Sequence, residues 1–237
     1  MLRKHIPRPI KNFLKRLISC ATWDQWSSRS WSQEGEDQIL RRIFERQQTG
    51  FYVDIGAHHP MRFSNTYLFY KRGWKGINID AMPGSMESFR RYRPRDLNLE
   101  LGIASEGQQL DYFVFNEPAL NGFSKELSEN RSDGSLNYKI QEVIKVRVVP
   151  LSSVLDRHLP PGQHINFMSI DVEGLDLEVL RSNDWSKFRP SIVLAEVLGS
   201  SLHEIEQSEI GQLMSSVGYE LYAKCMNTVF FKEVNQT

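Results

Sequence analysis

Residues 51–60 have the sequence Phe-Tyr-Val-Asp-Ile-Gly-Ala-His-His-Pro, in which a short apolar run, residues 51–55, is followed by a glycine turn. A run of this length is typical of a strand buried on both faces, and Gly56 supplies the tight turn after it. Residues 34–48, just before this strand, carry apolar side chains at helical spacing and are followed by Gly50, a helix stop. The sequence therefore predicts a helix that leads into a buried strand, as in an α/β domain.

The strand-and-helix unit recurs along the rest of the chain. Its pattern predicts strands at 75–80, 97–104, 165–171 and 191–197, and helices at 65–72, 85–92, 175–181 and around 202–217. Strands that alternate with helices indicate a parallel sheet with helices on both faces. Residues 219–223 and 227–231 are joined by a very short connection and predict an antiparallel hairpin. We therefore expect an α/β fold with a doubly wound, mostly parallel sheet that the hairpin closes.

The alternation lapses between two strand-like segments, residues 110–115 and 143–149. The polar stretch 116–135 between them is too long for an ordinary connection, and long loops of this kind are often lids or binding loops. A disordered insertion is the alternative interpretation.

The composition is that of a globular protein. The 237 residues suit one α/β domain with additions, and the 40% hydrophobic and 24% charged residues exclude a disordered, collagen-like or coiled-coil chain. The 29 basic residues balance the 29 acidic ones, so charge gives no reason to expect a nucleic-acid partner.

The only cysteines in the sequence are Cys20 and Cys225. Few cysteines fit a reducing compartment, and we expect a cytoplasmic protein.

Residues 1–30 are predicted to form a basic arm ahead of a domain that spans residues 31–237. Residues 1–20 contain six Lys or Arg and no Asp or Glu, with their apolar side chains on one helical face. Such a segment either lies on an anionic membrane surface, docks on a partner, or packs as a short helix on its own domain. The basic residues interrupt any signal-peptide core, and no run is long enough to span a bilayer.

Several predicted strands end in acidic residues, and ligands of a doubly wound sheet bind beyond these strand ends. A dinucleotide site needs the pattern G-x-G-x-x-G, of which only Gly56 is present, and His58 and His59 occupy positions where a close phosphate needs small residues. S-adenosylmethionine (SAM) has no phosphate. Its ribose suits Asp80 at the second strand end, and its cationic methionine end suits the acidic neighbourhood of Asp54.

Six segments of the chain resemble the FkbM family of SAM-dependent methyltransferases. In chain order they are Ser32-Gln33-Glu34-Gly35-Glu36-Asp37, Val53-Asp54-Ile55-Gly56-Ala57-His58-His59-Pro60, Ser64-Asn65-Thr66, Gly73-Trp74-Lys75-Gly76-Ile77-Asn78-Ile79-Asp80, Arg93-Pro94-Arg95-Asp96 and Ser169-Ile170-Asp171-Val172-Glu173-Gly174. The resemblance covers about residues 31–232. It implies a class I methyltransferase fold (Rossmann-like) with seven strands, the last antiparallel, and O-methylation of a carbohydrate or secondary metabolite.

The resemblance also implies cofactor contacts. The residues that match its cofactor motifs are Gln33, Glu36, Asp37, Asp54, Gly56, Ala57, His58, Ser64, Asn65, Thr66, Asp80 and Asp171. The turn that begins at Gly56 is expected to run under the methionine portion, and Asp80 to hold the ribose hydroxyls. Some of these residues have simpler interpretations. Ser64 is also suited to cap a helix, and Glu36 and Asp37 to form a favourable acidic first turn.

Candidate catalytic groups are Asp171, Glu173 and His58. Asp171 and Glu173 lie two residues apart at a strand end and project to the same side if the strand continues that far. They act either as base and orienting partner for the acceptor hydroxyl, or as ligands of Mg²⁺. His58 is the other candidate base because imidazole titrates near neutral pH. A cap on the next helix for Glu173, and a purely structural His58, are the alternatives.

Two other function classes remain open at the level of the sequence. A nucleotide-dependent oxidoreductase is disfavoured by the missing glycines. A non-catalytic binding module with the same fold is disfavoured by the acids at positions 54, 80, 171 and 173. The interpretation we favour is a cytoplasmic, SAM-dependent O-methyltransferase with a small-molecule or glycan acceptor and no nucleic-acid partner. Peripheral contact with membranes through residues 1–20 stays one of the three alternatives for the basic arm.

Overall fold

The computed structural model describes residues 26–105, 108–134, 136–199 and 201–234. The chain divides into two units at residues 30 and 31, and the second unit, residues 31–237, contains the strands and helices of the fold. The predicted basic helix of residues 1–20 lies outside the described residues. No helix in the described ranges has the length and apolarity needed to cross a membrane.

The second unit alternates strands and helices from its first turn onward. Its strands are β1 (Phe51–Ile55), β2 (Lys75–Asp80), β3 (Leu97–Glu100), β4 (Gly102–Ile103), β5 (Gln109–Phe115), β6 (Ile140–Val149), β7 (Phe167–Ile170), β8 (Ile192–Glu196), β9 (Tyr219–Cys225) and β10 (Thr228–Glu233). Its helices are α1 (Glu36–Ile43), α2 (Tyr67–Lys71), α3 (Met86–Tyr92), α4 (Lys125–Ser132), α5 (Leu151–His158), α6 (Asp176–Arg181), α7 (Leu202–Gln207) and α8 (Glu209–Ser216).

Seven strands form the main sheet, in the order β3-β2-β1-β7-β8-β10-β9. The pairs of β1 with β2, β1 with β7, β2 with β3 and β7 with β8 are parallel, whereas β10 pairs antiparallel with both β8 and β9. The prediction of a doubly wound, mostly parallel sheet with an antiparallel C-terminal hairpin is confirmed. The chain runs outward from β1 in one direction and from β7 in the other, so a crevice opens beyond the carboxyl ends of these two strands.

Strand β1 shows why the sheet forms where the sequence predicts it. All five of its residues are buried. Val53 and Ile55 pack into one apolar cluster with residues of α5 to α8, and Tyr52 packs into a second cluster with residues of α1 and α2. Because successive side chains point to opposite faces, a strand covered by helices on both sides is apolar at nearly every position, and Asp54 is the one exception in β1.

A smaller three-stranded sheet, in the order β4-β6-β5, is formed by the part of the chain between β3 and β7 of the main sheet. The polar stretch predicted as a lid or a disordered loop lies within it and contains a 3-10 helix, Pro118–Leu120, and helix α4. Ser124 caps α4 by accepting a hydrogen bond from the Leu127 N–H at 3.3 Å. Gly122 exchanges backbone hydrogen bonds with Phe113 at 2.8 and 3.3 Å, so the stretch folds back on β5. A lid motion of this stretch stays a prediction.

Three details differ from the sequence-based expectation. Helix α5 was not predicted. The predicted strand at 97–104 is two short strands, β3 and β4, and the predicted C-terminal helix is two helices, α7 and α8. Helices α7 and α8 are separate because Ser208 has extended backbone angles. Its hydroxyl accepts a hydrogen bond from the Gly211 N–H, and this cap begins α8.

Candidate active site

A cavity of about 570 Å³ lies beyond the carboxyl ends of β1, β2 and β7. Of the residues predicted to bind the cofactor or catalyse the reaction, six line it. They are Gln33, Gly56, His58, Asp80, Asp171 and Glu173. The opposite wall comes from the inserted sheet and its connection, including Tyr112, Phe115, Pro118 and Phe123. The crevice is thus enclosed by the insertion.

The turn after β1 is built around Gly56. Gly56 has a φ of 79°, and the N–H groups of Gly56 and Ala57 both donate to the Ile79 carbonyl at 3.0 Å. A Cβ atom at position 56 would lie 1.7 Å from the Asp171 carbonyl oxygen. Only glycine combines this backbone angle with so close an approach. The turn therefore connects the end of β2 with the segment that carries the candidate catalytic acids.

Asp80 lies at the end of β2, as predicted, and is fixed by backbone donors. One of its carboxylate oxygens accepts from the His58 N–H at 2.8 Å and the other from the Met82 N–H at 2.9 Å. Burial raises the pKa of Asp80, and the two N–H groups oppose that rise. Each carboxylate oxygen retains accepting capacity for a ligand hydroxyl.

Asp54 lies behind the turn and does not line the cavity. Its carboxylate accepts a hydrogen bond from the Thr66 hydroxyl at 2.5 Å, and the hydroxyl in turn accepts from Arg93 at 2.9 Å. Arg93 is fully buried and also donates to Asp96 at 2.9 Å and to the Tyr52 hydroxyl at 2.9 Å. Burial raises the pKa of Asp54, whereas Arg93 lowers it. These contacts are those of a structural network under the turn.

The other predicted cofactor residues that lie outside the cavity lining are Glu36, Asp37, Ala57, Ser64, Asn65 and Thr66. Asp37 accepts from the Trp31 N–H at 2.9 Å, and Glu36 accepts from the Thr228 hydroxyl at 3.0 Å. Ser64 accepts from the Tyr67 N–H at 3.1 Å, near the start of α2. The simpler interpretations, a helix cap and an acidic first turn, agree with this geometry, and direct cofactor contact by these residues stays a prediction.

Three carboxylates meet at the ends of β7 and β8. One oxygen from each of Asp171, Glu173 and Glu196 lies within 4.8 Å of the others. The protein atoms that surround Asp171 reduce its hydration, and this desolvation, and next the charge of Glu173, hold the pKa of Asp171 well above its usual range. Burial and Glu173 also raise the pKa of Glu196 to about 7. Asp171 is nevertheless open to solvent through the cavity.

The acid cluster has one basic neighbour in the insertion. An Nη of Arg131, in α4, lies 2.6 Å from a carboxylate oxygen of Glu173, and both side chains are mostly buried. Sequence reasoning missed Arg131 because nothing in a polar stretch marks which charge will turn inward. Glu196 lies near the end of the predicted strand at 191–197, and an acidic residue at a strand end is the signal in the sequence for its place in the cluster.

His58 lines the cavity in an unusual backbone conformation, with a φ of 50°. Burial, and next the charge of Arg62, lower its pKa to about 4, so the ring is neutral at neutral pH. His59 has a structural role, since its Nδ1 accepts from the N–H groups of Met61 and Arg62 at 3.1 and 2.9 Å.

The order of the main sheet, with a glycine turn after β1 and a fixed carboxylate at the end of β2, defines a Rossmann-like protein of the methyltransferase type. The model of the FkbM methyltransferase domain matches residues 54–221. The chain therefore belongs to the FkbM methyltransferase family and is a SAM-dependent methyltransferase. This assignment favours methyl transfer over the oxidoreductase alternative.

Solved structures similar to this chain include a TehB-like SAM-dependent methyltransferase from Corynebacterium glutamicum. It is 11% identical, the match covers 97% of this chain and 100% of that chain, and the TM-score is 0.40. Another is an O-methyltransferase from Bacillus cereus in complex with S-adenosylhomocysteine (SAH), 8% identical over 97% of this chain and 92% of that chain, with a TM-score of 0.39. Similarities at this level do not indicate which residues of this chain form the site. No curated protein matches the sequence.

Proposed function

We propose that this methyltransferase transfers the SAM methyl group to a hydroxyl oxygen of a carbohydrate or secondary metabolite. The observation that carries the proposal is the single cavity that joins Asp80, suited to a ribose diol, to the carboxylates of Asp171 and Glu173. A cofactor held at the first point and an acceptor held at the second would meet inside one enclosed space.

The cofactor fits along the strand ends from β2 toward β1. The adenine would occupy the apolar part of the cavity next to Met82 and Gly102, and Asp80 would accept hydrogen bonds from the ribose. The methionine portion would extend toward Gln33 and the turn at Gly56. The acids that line the cavity would balance the sulfonium charge, because opposite charges attract strongly where water is partly excluded.

The chemical step is an in-line displacement at the methyl carbon. The acceptor oxygen forms a bond to the methyl carbon while the bond from sulfur to carbon breaks, SAH leaves, and the acceptor proton passes to Asp171. Asp171 suits this role because its raised pKa makes it a better base than an ordinary aspartate. His58, with a pKa lowered to about 4, would hold the proton poorly.

Mg²⁺ bound by the acid cluster is the second candidate for activating the acceptor. The oxygens of Asp171, Glu173 and Glu196, within 4.8 Å of one another, are hard ligands of the kind that Mg²⁺ prefers. Arg131 already places a positive charge 2.6 Å from Glu173 and would compete with the ion. This competition favours the general-base mechanism.

Calorimetry with SAM and with SAH, in Mg²⁺ and in EDTA, tests the proposal. We expect binding of both ligands and no dependence on Mg²⁺. Asp80→Asn should weaken both ligands by a factor of about 10 to 100, because it removes a charged acceptor from the ribose. Asp156→Asn is the matched control, since Asp156 is exposed and lies outside the cavity lining. Absence of binding in the native protein would contradict the proposal, and Mg²⁺-dependent SAH affinity would favour the metal mechanism. An acceptor screen over glycans and hydroxylated metabolites, read out as SAH release, then tests the acceptor class.

A further inference from the structure

Tyr112, on the inserted strand β5, has a buried side chain that lines the cavity and has no assigned role. Only 5% of its surface is exposed. Its ring contacts Phe123 edge-on, with ring centres 4.8 Å apart. It belongs to an apolar cluster against which Ala81 and Met82 pack, the two residues that follow Asp80. Tyr112 is therefore placed on the Asp80 side of the cavity.

The Tyr112 hydroxyl makes no hydrogen bond to any residue within the described ranges. Nearly all buried polar groups in proteins have a hydrogen-bond partner, and leaving one without a partner is costly. The described tyrosines Tyr52 and Tyr219 obey this rule, because the first donates to Asp96 at 2.8 Å and the second to the Pro190 carbonyl at 2.8 Å. Tyr70 is also buried and its hydroxyl has no partner within the described ranges, but it lies outside the cavity lining. Tyr112 differs because it lines the cavity, where a ligand can reach its hydroxyl.

The electrostatic surroundings specify what kind of group the Tyr112 hydroxyl can contact. Burial is the main cause that raises its pKa, and the carboxylates of Asp80 and Glu173 raise it further. The phenol therefore stays protonated and acts as a neutral hydrogen-bond donor rather than as a base. Its two charged neighbours are the proposed ribose ligand and one acid of the catalytic cluster, and all three residues line the same cavity.

We propose that the Tyr112 hydroxyl donates a hydrogen bond to an oxygen of the cofactor's ribose and thereby fixes the sugar against Asp80. This inference rests on the proposed function, and it makes the inserted sheet a part of the cofactor site. Gly102 supports the same arrangement, since a Cβ there would lie 2.7 Å from the Phe123 ring, the ring that contacts Tyr112. The insertion thus packs tightly on the Asp80 side of the cavity.

Tyr112→Phe tests the inference, with Tyr219→Phe as the matched control. Both variants lose one hydroxyl from a buried tyrosine, but the Tyr219 hydroxyl is bonded to the protein and Tyr219 lies outside the cavity lining. We expect Tyr112→Phe to weaken SAM and SAH by the same factor, about three to ten, because both ligands carry the ribose and a neutral hydrogen bond is lost. Its unfolding midpoint in urea without ligand should equal that of the native protein. Tyr219→Phe should show the reverse, with a lower midpoint and unchanged ligand affinities.

Other outcomes overturn the inference in distinguishable ways. If the native protein binds SAM and SAH but Tyr112→Phe binds both equally well, the contact with the cofactor is absent and the proposed function stands. If only SAM is weakened, the hydroxyl contacts the methyl end rather than the ribose. A lower unfolding midpoint of Tyr112→Phe would mean that the hydroxyl has a partner within the protein. If the native protein binds neither ligand, the proposed function fails and the inference fails with it.

Discussion

Replacement of Gly56 with alanine separates two demands on the turn after β1, a left-handed backbone and a close approach to Asp171. At a φ of 79° an alanine pays about 1 to 2 kcal/mol for the backbone conformation alone. Its Cβ would also lie 1.7 Å from the Asp171 carbonyl oxygen, whereas real Cβ atoms essentially never approach within 3.0 Å. The turn and the Asp171 segment must therefore move apart by about 1.3 Å.

That separation strains contacts on both sides of the turn. The Gly56 and Ala57 N–H groups donate to Ile79, and the Asp171 N–H donates to the Ile55 carbonyl, each at 3.0 Å. The loss of one or two of these hydrogen bonds costs about 1 kcal/mol each. We therefore expect Gly56→Ala to lower the free energy of unfolding by about 2 to 4 kcal/mol in total. We also expect it to weaken SAM binding at least about tenfold, since a displacement near 1 Å is enough to ruin a binding geometry.

The matched control is Gly73→Ala. Gly73 has a φ of 94°, and a Cβ there would meet nothing within 4 Å. In this variant only the strained backbone conformation lowers the free energy of unfolding. Urea unfolding gives the free energy of each variant, and calorimetry gives the SAM affinity. If Gly56→Ala binds SAM as tightly as the native protein and loses no more stability than Gly73→Ala, the close approach of the turn to Asp171 contributes neither to stability nor to SAM binding.

Four further changes have expected outcomes. Arg93→Met should lower the free energy of unfolding in urea by about 3 to 5 kcal/mol, because it leaves buried carboxylates without their cation, and a loss below 1 kcal/mol would contradict the buried network. Asp171→Asn should slow methyl transfer by a factor of about 100 or more while leaving SAM affinity nearly unchanged, and a fully active variant would remove Asp171 as the base. Burial raises the pKa of Asp176 to about 8. The unfolded chain releases this proton near pH 4 and the folded chain keeps it, so stability should fall from about pH 4 to 8, and Asp176→Asn should remove that part of the decline in urea unfolding. Deletion of residues 1–20 should reduce sedimentation with anionic vesicles, and equal binding before and after deletion would end the proposal of peripheral membrane contact.

The sequence was sufficient for the main sheet because its strands are marked by local composition. Strand β1 is apolar at almost every position, and all five of its residues are buried. The strand-end positions of Gly56, Asp80 and Asp171 follow from the same local pattern, and all three line the cavity. Helix α5 escaped prediction because it directly follows β6, where one apolar pattern merges into the next.

The sequence could not separate residues that line the cavity from residues that support it. Asp54 and Asp80 are both acids at strand ends, yet Asp54 is bonded to Thr66 under the turn whereas Asp80 lines the cavity. What distinguishes them is the partner that reaches each carboxylate. Asp54 is bonded to Thr66, and Thr66 is held by Arg93, which lies 39 positions after Asp54 in the chain. Such partners are fixed by the packing of distant segments.

The sequence by itself determined the mostly parallel sheet with its C-terminal hairpin, the glycine turn and the acidic strand ends, because these depend on residues close together in the chain. Only the tertiary structure decided that Arg131 pairs with Glu173, that Glu196 joins the acid cluster, and that Tyr112 completes the wall of the cavity. Arg131 and Tyr112 belong to the insertion. Their side chains reach the site because the insertion folds back over the strand ends, and that geometry is set by burial and hydrogen bonding between segments far apart in the chain.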